Sequence, residues 1–414
     1  MRQVCKRQIQ GNPGSLRSHQ EGAGVLLIHP PAQHQVTSVF HPNPSAPNRK
    51  SFLLIQLGDI GDVVLTLPSV QALRAAYPDS RIVACVREKA KDIMADCPWT
   101  NDVVVVTKTA KGNAPSLSKT LDRHRKWFTD LRRQRFDVAV DFRTGTRGAI
   151  IAFLSGARHR IGRFAEDGGL WRNRLFHTLV DPPDEHSQYA VQHNLNILTP
   201  LGIEVDHPKL MLPLPAYRLA QAKQILENVG LPSDAPFVVF HPFSLWAYKE
   251  WTIAAGASLI DAITEKTGLS VLITGAPEER ERAERLVRTC SSRPLNLAGE
   301  TTVGELAGIL KMAACFIGVD TAALHIAAAV GTPTIGLFGP SAAVSWAPRG
   351  NDHRVVTADL PCIPCRNKGC DNSEYSRCME TLSADSVLSC FETLCRTLYP
   401  DKTPTHVDNG LLNS

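Results

Sequence analysis

Short apolar blocks rich in branched residues punctuate the chain from residue 52 onward: FLLIQL (52–57), RIVACV (81–86), DVVVV (102–106) and DVAVDF (137–142). Stretches of helical period, such as VVLTLPSVQALRAAY, separate them. Blocks with so little polar alternation predict strands buried on both faces and joined by helical crossovers, which is the pattern of a doubly wound parallel sheet. The pattern then restarts with FVVFHP (237–242), LSVLITG (269–275), CFIGV (315–319) and TIGLFG (334–339). Helices are predicted between these blocks near 251–267, 277–290 and 302–314, the last opened by Thr302 with Glu305 three positions on as a capping box. Prolines in HPKLMLPLPAYR (207–218) break the period and mark the joint. The predicted architecture is α/β, with two Rossmann-like doubly wound domains, 51–212 and 213–400, facing a cleft.

The ends read differently. Residues 1–50 open on basic residues, and the nearby apolar stretch GVLLIHPP is too short for a signal-peptide core, so this segment is expected to be an N-terminal extension or a misassigned start. Residues 401–414 are expected to be a loose tail. A length of 414 residues with 43% hydrophobic and 21% charged content suits a soluble globular protein of two domains. No run approaches the ~18 apolar residues that a membrane span needs. The formal charge of +5 is too small for a general nucleic-acid binder, and its sign favours phosphate-bearing partners or an anionic membrane surface. The 11 cysteines are scattered singly apart from one late cluster, which points to a reducing cytosol rather than a secreted disulfide framework.

Ligands of open α/β sheets bind at the carboxyl ends of strands, so the corners after the strands carry the candidate chemistry. The first is QLGDIGDVVLTLPS, where Gly58 and Gly61 let the backbone turn tightly and Asp62 falls in the first helical turn. A dinucleotide fingerprint needs three glycines, and a carboxylate here would repel a pyrophosphate. Asp62 therefore reads either as a general base for an incoming hydroxyl or, like Asp59, as a helix cap. After FVVFHP, Ser244 and Lys249 suit a diphosphate, with a solvated lysine as the plain alternative. After the next strand, Glu278 and Glu279 read as partners of ribose hydroxyls or as complements to a helix dipole.

The stretch FIGVDTAALHIAAAVGTPTIGLFGP (316–340) holds the fourth corner. Asp320 ends a strand and Thr321 caps a helix whose amides at 321–323 face the cleft, with His325 one turn on. A helix N-terminus beside a histidine is an anion site, although a lone histidine is more often a core residue bonded to a backbone carbonyl. Ala322, Ala323 and Ala327 to Ala329 keep the helix slim enough for a ligand to come close, and Gly331, Thr332 and Pro333 close it.

Taken together, GDIGDVVLTLPSVQALRAAYP, HP…KEW, LITGAPEE, the 316–340 stretch and PCIPC…GC…SRCMETLSADSVL resemble the heptosyltransferases of glycosyltransferase family 9, from about residue 51 to 398. The resemblance implies a GT-B fold with the C-terminal domain holding ADP-heptose as donor and a lipid A–core oligosaccharide as acceptor. It implies Asp62 as catalytic base, Ser244 and Lys249 on the donor diphosphate, and Asp320, Thr321 and His325 at the donor's sugar and phosphates. Two positions depart from the family pattern: Ala322 stands where glycine is frequent, and Lys249-Glu250-Trp251-Thr252 lacks a proline common after the tryptophan.

The chemistry implied is sugar transfer with a base on the acceptor hydroxyl and positive charge on the leaving diphosphate. No D-x-D occurs in the chain, so metal-independent transfer with inversion is expected, with no cofactor for catalysis. For the acceptor, Arg143 and Arg147 follow a strand, and Arg158, His159, Arg160 and Arg163 cluster beyond, suited to phosphates or forming only a solvated basic surface. A basic run at 123–135 sets Trp127, Phe128 and Leu131 at helical spacing, either touching an anionic membrane or facing the core. Cys362, Cys365, Cys370 and Cys378 are spaced C-x2-C-x4-C-x7-C, which reads as a structural zinc or iron–sulfur site, as free thiols or as a disulfide. Two rival readings are a nucleotide-dependent sensor without turnover, which would need neither base nor basic cluster, and an NAD-dependent oxidoreductase, which the missing third glycine opposes.

Overall fold

The computed structural model describes residues 50–107, 117–169, 171–181, 187–232 and 234–398. The expected extension and tail lie outside these residues, apart from Lys50.

Among the described residues twelve strands form two sheets. The first contains β1 (Ser51–Gln56), β2 (Arg81–Arg87), β3 (Asp102–Val106), β4 (Val138–Asp141), β5 (His159–Arg163) and β6 (Thr178–Val180). The second contains β7 (Phe237–His241), β8 (Ser270–Ile273), β9 (Leu295–Asn296), β10 (Cys315–Val319), β11 (Thr334–Phe338) and β12 (His353–Thr357). All pairings are parallel, with β1 beside β2 and β4, and β7 beside β8 and β10. The spatial orders are β3-β2-β1-β4-β5-β6 and β12-β11-β10-β7-β8-β9. Counted from its own first strand, the second sheet repeats the order of the first. Each sheet reverses direction at one place, between β1 and β4 and between β7 and β10, and crevices open beyond the carboxyl ends of such strands.

The eight strand blocks of the sequence analysis all form, and their central strands are buried on both faces as the unbroken apolar runs require. The capping box predicted at Thr302 is present: its hydroxyl accepts from the Glu305 amide at 3.3 Å, and Glu305 accepts from the Thr302 amide at 2.7 Å. The helix Ala322–Ala329 closes at Gly331, whose φ of 83° is the left-handed conformation that glycine adopts without strain. Four strands were not expected. Among them β5 holds His159, Arg160 and Arg163, whose cluster reads in the sequence as a phosphate site or a solvated basic surface, and all three are half-buried. The helix Leu117–Arg133 carries Trp127, Phe128 and Leu131 against the first sheet's core, so the apolar stripe is core and only the charged face meets solvent.

One hydrophobic cluster runs through both halves, from Phe52 and Val64 to Leu324 and Phe338. The joint is also electrostatic. Arg218, at the start of the helix Ala216–Asn228, donates from Nε to Asp96 Oδ2 at 2.7 Å and lies 3.6 Å from Asp92 Oδ2, both acids belonging to the first half. Asp92 in turn accepts from the amide of Gly304 in the second half at 3.2 Å. Removing one member of a buried ion pair strands the other charge, at about 3–5 kcal/mol. Asp96→Ala is therefore expected to lower the unfolding free energy by roughly 3 kcal/mol in urea titration. A change well below 1 kcal/mol would show the pair to be solvated in practice.

Candidate functional site

The two reversal points supply the site. Asp62 lies in the short helix Ile60–Val64 that follows β1, and Arg143 follows β4. Ser244 and Lys249 follow β7, while Asp320 ends β10 and Thr321 caps the next helix. The two points meet because Gly61 has no side chain. A Cβ there would lie 3.0 Å from His325 Cδ2 and 3.6 Å from Ala322 Cα.

A line of charges crosses this contact. Arg143 Nη1 is 2.8 Å from Asp62 Oδ2, and the same oxygen accepts from the Asp59 amide at 2.8 Å. Asp62 is thus both helix cap and cleft carboxylate, whereas the Asp59 side chain turns away to Arg87 and Lys89. Across Gly61, the Asp62 charge reaches His325 strongly enough to affect its ionisation. His325 Nε2 is 3.9 Å from Asp320 Oδ1, and Asp320 Oδ2 receives Lys249 Nζ at 2.6 Å. His325 is only 4% exposed, and its Nδ1 has no hydrogen-bond partner among the described residues. The core-histidine reading bonded to a carbonyl does not hold at that nitrogen.

Burial lowers the His325 pKa below the ordinary value, Asp320 and Asp62 oppose that, and Lys249 adds to it, so the imidazole is neutral at neutral pH. For Asp320, burial alone would raise the carboxyl, yet the Lys249 and His325 charges outweigh it and hold the pKa below its ordinary value. His241, at the end of β7, is pushed down to about 4 by burial, and its Nδ1 is hydrogen-bonded to Thr274 Oγ1 at 3.0 Å.

The remaining sequence candidates fall around this line. The Ser244 amide donates to Glu250 Oε1 at 2.9 Å, and its hydroxyl accepts from the Trp246 amide at 3.2 Å. Thr321 Oγ1 accepts from the Ala323 amide at 3.2 Å, so one of the three amides expected to face the cleft is already engaged. Glu278 is exposed on a single turn of 3-10 helix, and the buried acid is Glu279, which accepts from the Ala276 amide. Arg147 is exposed near the start of the helix Thr146–Leu154, and Arg163 sits at the end of β5 with Nη2 3.2 Å from His193 Nε2. Sequence reasoning missed Glu250, which Arg282 grips from the other side, and the buried pair Asp141 and Arg172. The Asp141 pKa is raised by burial to about 7 despite the Arg143 amide and the Arg172 charge. Cys362 is exposed, Cys365 and Cys370 are half-buried and Cys378 is buried. Among the described residues no three His, Cys, Asp or Glu side chains gather to hold a metal ion, and all four cysteines are free thiols, which is one of the alternative readings of their spacing.

Two Rossmann-like halves in contact at their reversal points make an α/β architecture of the GT-B type. Residues 124–376 match glycosyltransferase family 9 (heptosyltransferase), more than half of the chain, and the protein belongs to that family. It is 28% identical over 340 residues to lipopolysaccharide heptosyltransferase 3 of Escherichia coli, covering 81% of this chain and 96% of that one. Among solved structures it is similar to the E. coli ADP-heptose lps heptosyltransferase II, with TM-score 0.70, 18% identity and coverage of 84% and 99%. A second E. coli heptosyltransferase, solved with ADP-2-deoxy-2-fluoro heptose, gives TM-score 0.62, 20% identity and coverage of 83% and 99%.

The Lys249–Asp320 pair sets a pH signature. A carboxyl held below its unfolded value adds stability above that value and loses it as pH falls through the folded one. Lys249→Met removes the ammonium that offsets burial, so the Asp320 pKa rises. The variant is expected to be about 3 kcal/mol less stable near pH 7, with the deficit shrinking towards pH 4, as read by urea unfolding at a series of pH values.

Proposed function

We propose that the protein transfers heptose from ADP-heptose to a hydroxyl of the lipopolysaccharide inner core, by direct displacement with inversion and without a catalytic metal. The observation that carries this reading is the line Arg143–Asp62 / His325–Asp320–Lys249, which sets a carboxylate and an ammonium on opposite sides of one contact. The names of its relatives supply the donor and acceptor class: a lipopolysaccharide heptosyltransferase at 28% identity and a structure bound to an ADP-heptose analogue.

In this reading residues 51–212 bind the acceptor and residues 213–400 the donor. Asp62 takes the proton of the acceptor hydroxyl, whose oxygen attacks the anomeric carbon on the face opposite the diphosphate. The bond from that carbon to the β-phosphate oxygen breaks, and its electron pair leaves with ADP. Lys249, the Ser244 hydroxyl and the amides of Thr321 and Ala322 at the start of the helix Ala322–Ala329 neutralise the departing charge, where fixed donors act without reorganising. Neutral His325 shares the donor side with Asp320 and Thr321, next to Ala322, and Glu278 faces solvent at the rim where a ribose would extend. Arg143, Arg147 and Arg163 meet phosphates of the acceptor. Asp62 acts on the acceptor hydroxyl, while the Asp320 carboxylate is engaged by Lys249 and forms no bond to the sugar, so the displacement is single and inverts the anomeric carbon.

Asp62→Asn is expected to lower kcat by roughly 10²- to 10⁴-fold while the protein stays folded. Purified protein is incubated with ADP-heptose and truncated core acceptors, ADP release is followed with and without EDTA, and the product's anomeric configuration is read by NMR. Full turnover by the asparagine variant would remove Asp62 as the base. Release of nucleotide from a different sugar donor alone would change the donor.

Among the described residues no helix is long and apolar enough to cross a membrane. We place the protein in the cytoplasm, in peripheral contact with the anionic inner membrane where a lipid-linked acceptor resides. Exposed Ile150, Phe153, Phe164 and Trp171 lie in the same stretch of chain as Arg147, Arg158 and Arg174, the composition of an interfacial surface. Co-sedimentation with vesicles containing anionic lipid, weakened by Phe153→Ser with Trp171→Ser and by raised salt, is the expected outcome. Equal binding to neutral vesicles would remove the electrostatic part.

A further inference from the structure

Arg172 is the largest of the fully buried side chains, with only 2% of its surface exposed. A guanidinium so deep is costly unless its donors are satisfied and a counter-charge is near. Its partners are not spread at random. Nη2 donates to the carbonyl of Arg143 at 2.6 Å, and Nη1 donates to the carbonyl of Arg163 and to Asn173 Oδ1. Nη2 also lies 3.6 Å from Asp141 Oδ2, an ion contact without a hydrogen bond, and Nε has no hydrogen-bond partner among the described residues. The guanidinium carbon Cζ lies over the Phe176 ring, 4.8 Å from its centroid.

Asp141 completes the arrangement from the other side. Its Oδ1 accepts from the Arg143 amide at 3.2 Å, so the backbone of residue 143 is held at its N–H by Asp141 and at its carbonyl by Arg172. Asp141 fits only because Gly148 faces it, since a Cβ there would lie 2.4 Å from Asp141 Oδ2. One buried fork thus ties together the loop after β4, which carries Arg143, and the end of β5, which carries Arg163. Arg143 is the residue whose side chain meets Asp62 at 2.8 Å.

We propose that Arg172, seated on Asp141, is a positioning residue for the acceptor side: it fixes the backbone from which Arg143 reaches Asp62, and the spacing between Arg143 and Arg163, and thereby sets recognition of a phosphorylated acceptor. The inference rests on the reading of this site as the acceptor half of a heptosyltransferase. Lysine cannot replace the fork, because a compact ammonium lacks the planar geometry that serves two carbonyls and a carboxylate at once.

Two variants test it. Arg172→Lys keeps the charge, and Arg172→Met combined with Asp141→Asn removes both charges so that neither is left buried alone. ADP release is measured with ADP-heptose and a truncated lipid A–core acceptor, in its phosphorylated form and after enzymatic removal of the core phosphates. In both variants the KM for the phosphorylated acceptor is expected to rise by roughly tenfold or more, a size in keeping with sub-ångström misplacement of binding groups. The KM for ADP-heptose should stay within about twofold of the parent, which separates acceptor positioning from general loosening. With the dephosphorylated acceptor the variants and the parent should differ much less, a coupling that a merely structural arginine would not produce.

Equal loss on both acceptors, a matching rise in donor KM, or unchanged acceptor KM in a folded variant overturns the proposal. Failure of both variants to fold overturns it too, by assigning the pair to stability. A parent enzyme that releases no ADP with any acceptor would instead sink the functional reading on which the inference rests.

Discussion

The structure depends on how closely the helix after β1 can approach the helix after β10. Gly61 on one side and the alanines of Ala322–Ala329 on the other leave no side-chain layer between the two backbones, and His325 fills what space remains. Any larger residue at 61 would push the imidazole or the backbone of residue 322 aside, and overpacking of this kind costs about 1–3 kcal/mol. The approach also lets a carboxylate from the first half and a histidine, carboxylate and lysine from the second form one electrostatic line. Without it Asp62 and Lys249 would belong to separate surfaces.

Within that line, burial and pairing pull in opposite directions, and the outcome differs from group to group. At Asp320 the lysine and histidine charges win over desolvation. At Asp141 desolvation wins, although a guanidinium is 3.6 Å away, because the amide and charges offset only part of it. At His325 desolvation wins as well, which leaves a neutral ring between two acids. A neutral imidazole adds no positive charge beside Lys249, and its buried Nδ1 has no hydrogen-bond partner among the described residues.

The sheets were legible in the sequence because eight of the twelve strands are unbroken apolar runs, and a parallel sheet covered on both faces demands that pattern. The missed strands break it for physical reasons. HRIGR (β5) and HRVVT (β12) carry charges that snorkel or pair, while β6 and β9 span only three and two residues. The places of Asp62, Lys249 and the capped helix with His325 were readable because strand ends and helix starts dictate where such residues point. Glu250, Asp141 and Arg172 were not readable. Each acts through a partner on another element, such as Asp141 with a residue 31 positions away, and no local spacing announces that. The basic run at 123–135 shows the converse: local periodicity was sound, but only the packed sheet decided which face was inside.

Both sheets wind in the same order, so each half presents an equivalent crevice and furnishes it differently. In one the loops after the central strands display an acid and arginines; in the other, a serine, a lysine and a capped helix. The crevices touch where Gly61 meets His325, so a substitution there reaches both, whereas loops away from that contact hang on one sheet only. The paired winding therefore lets a lineage refurnish one crevice loop by loop while a single shared seam stays fixed.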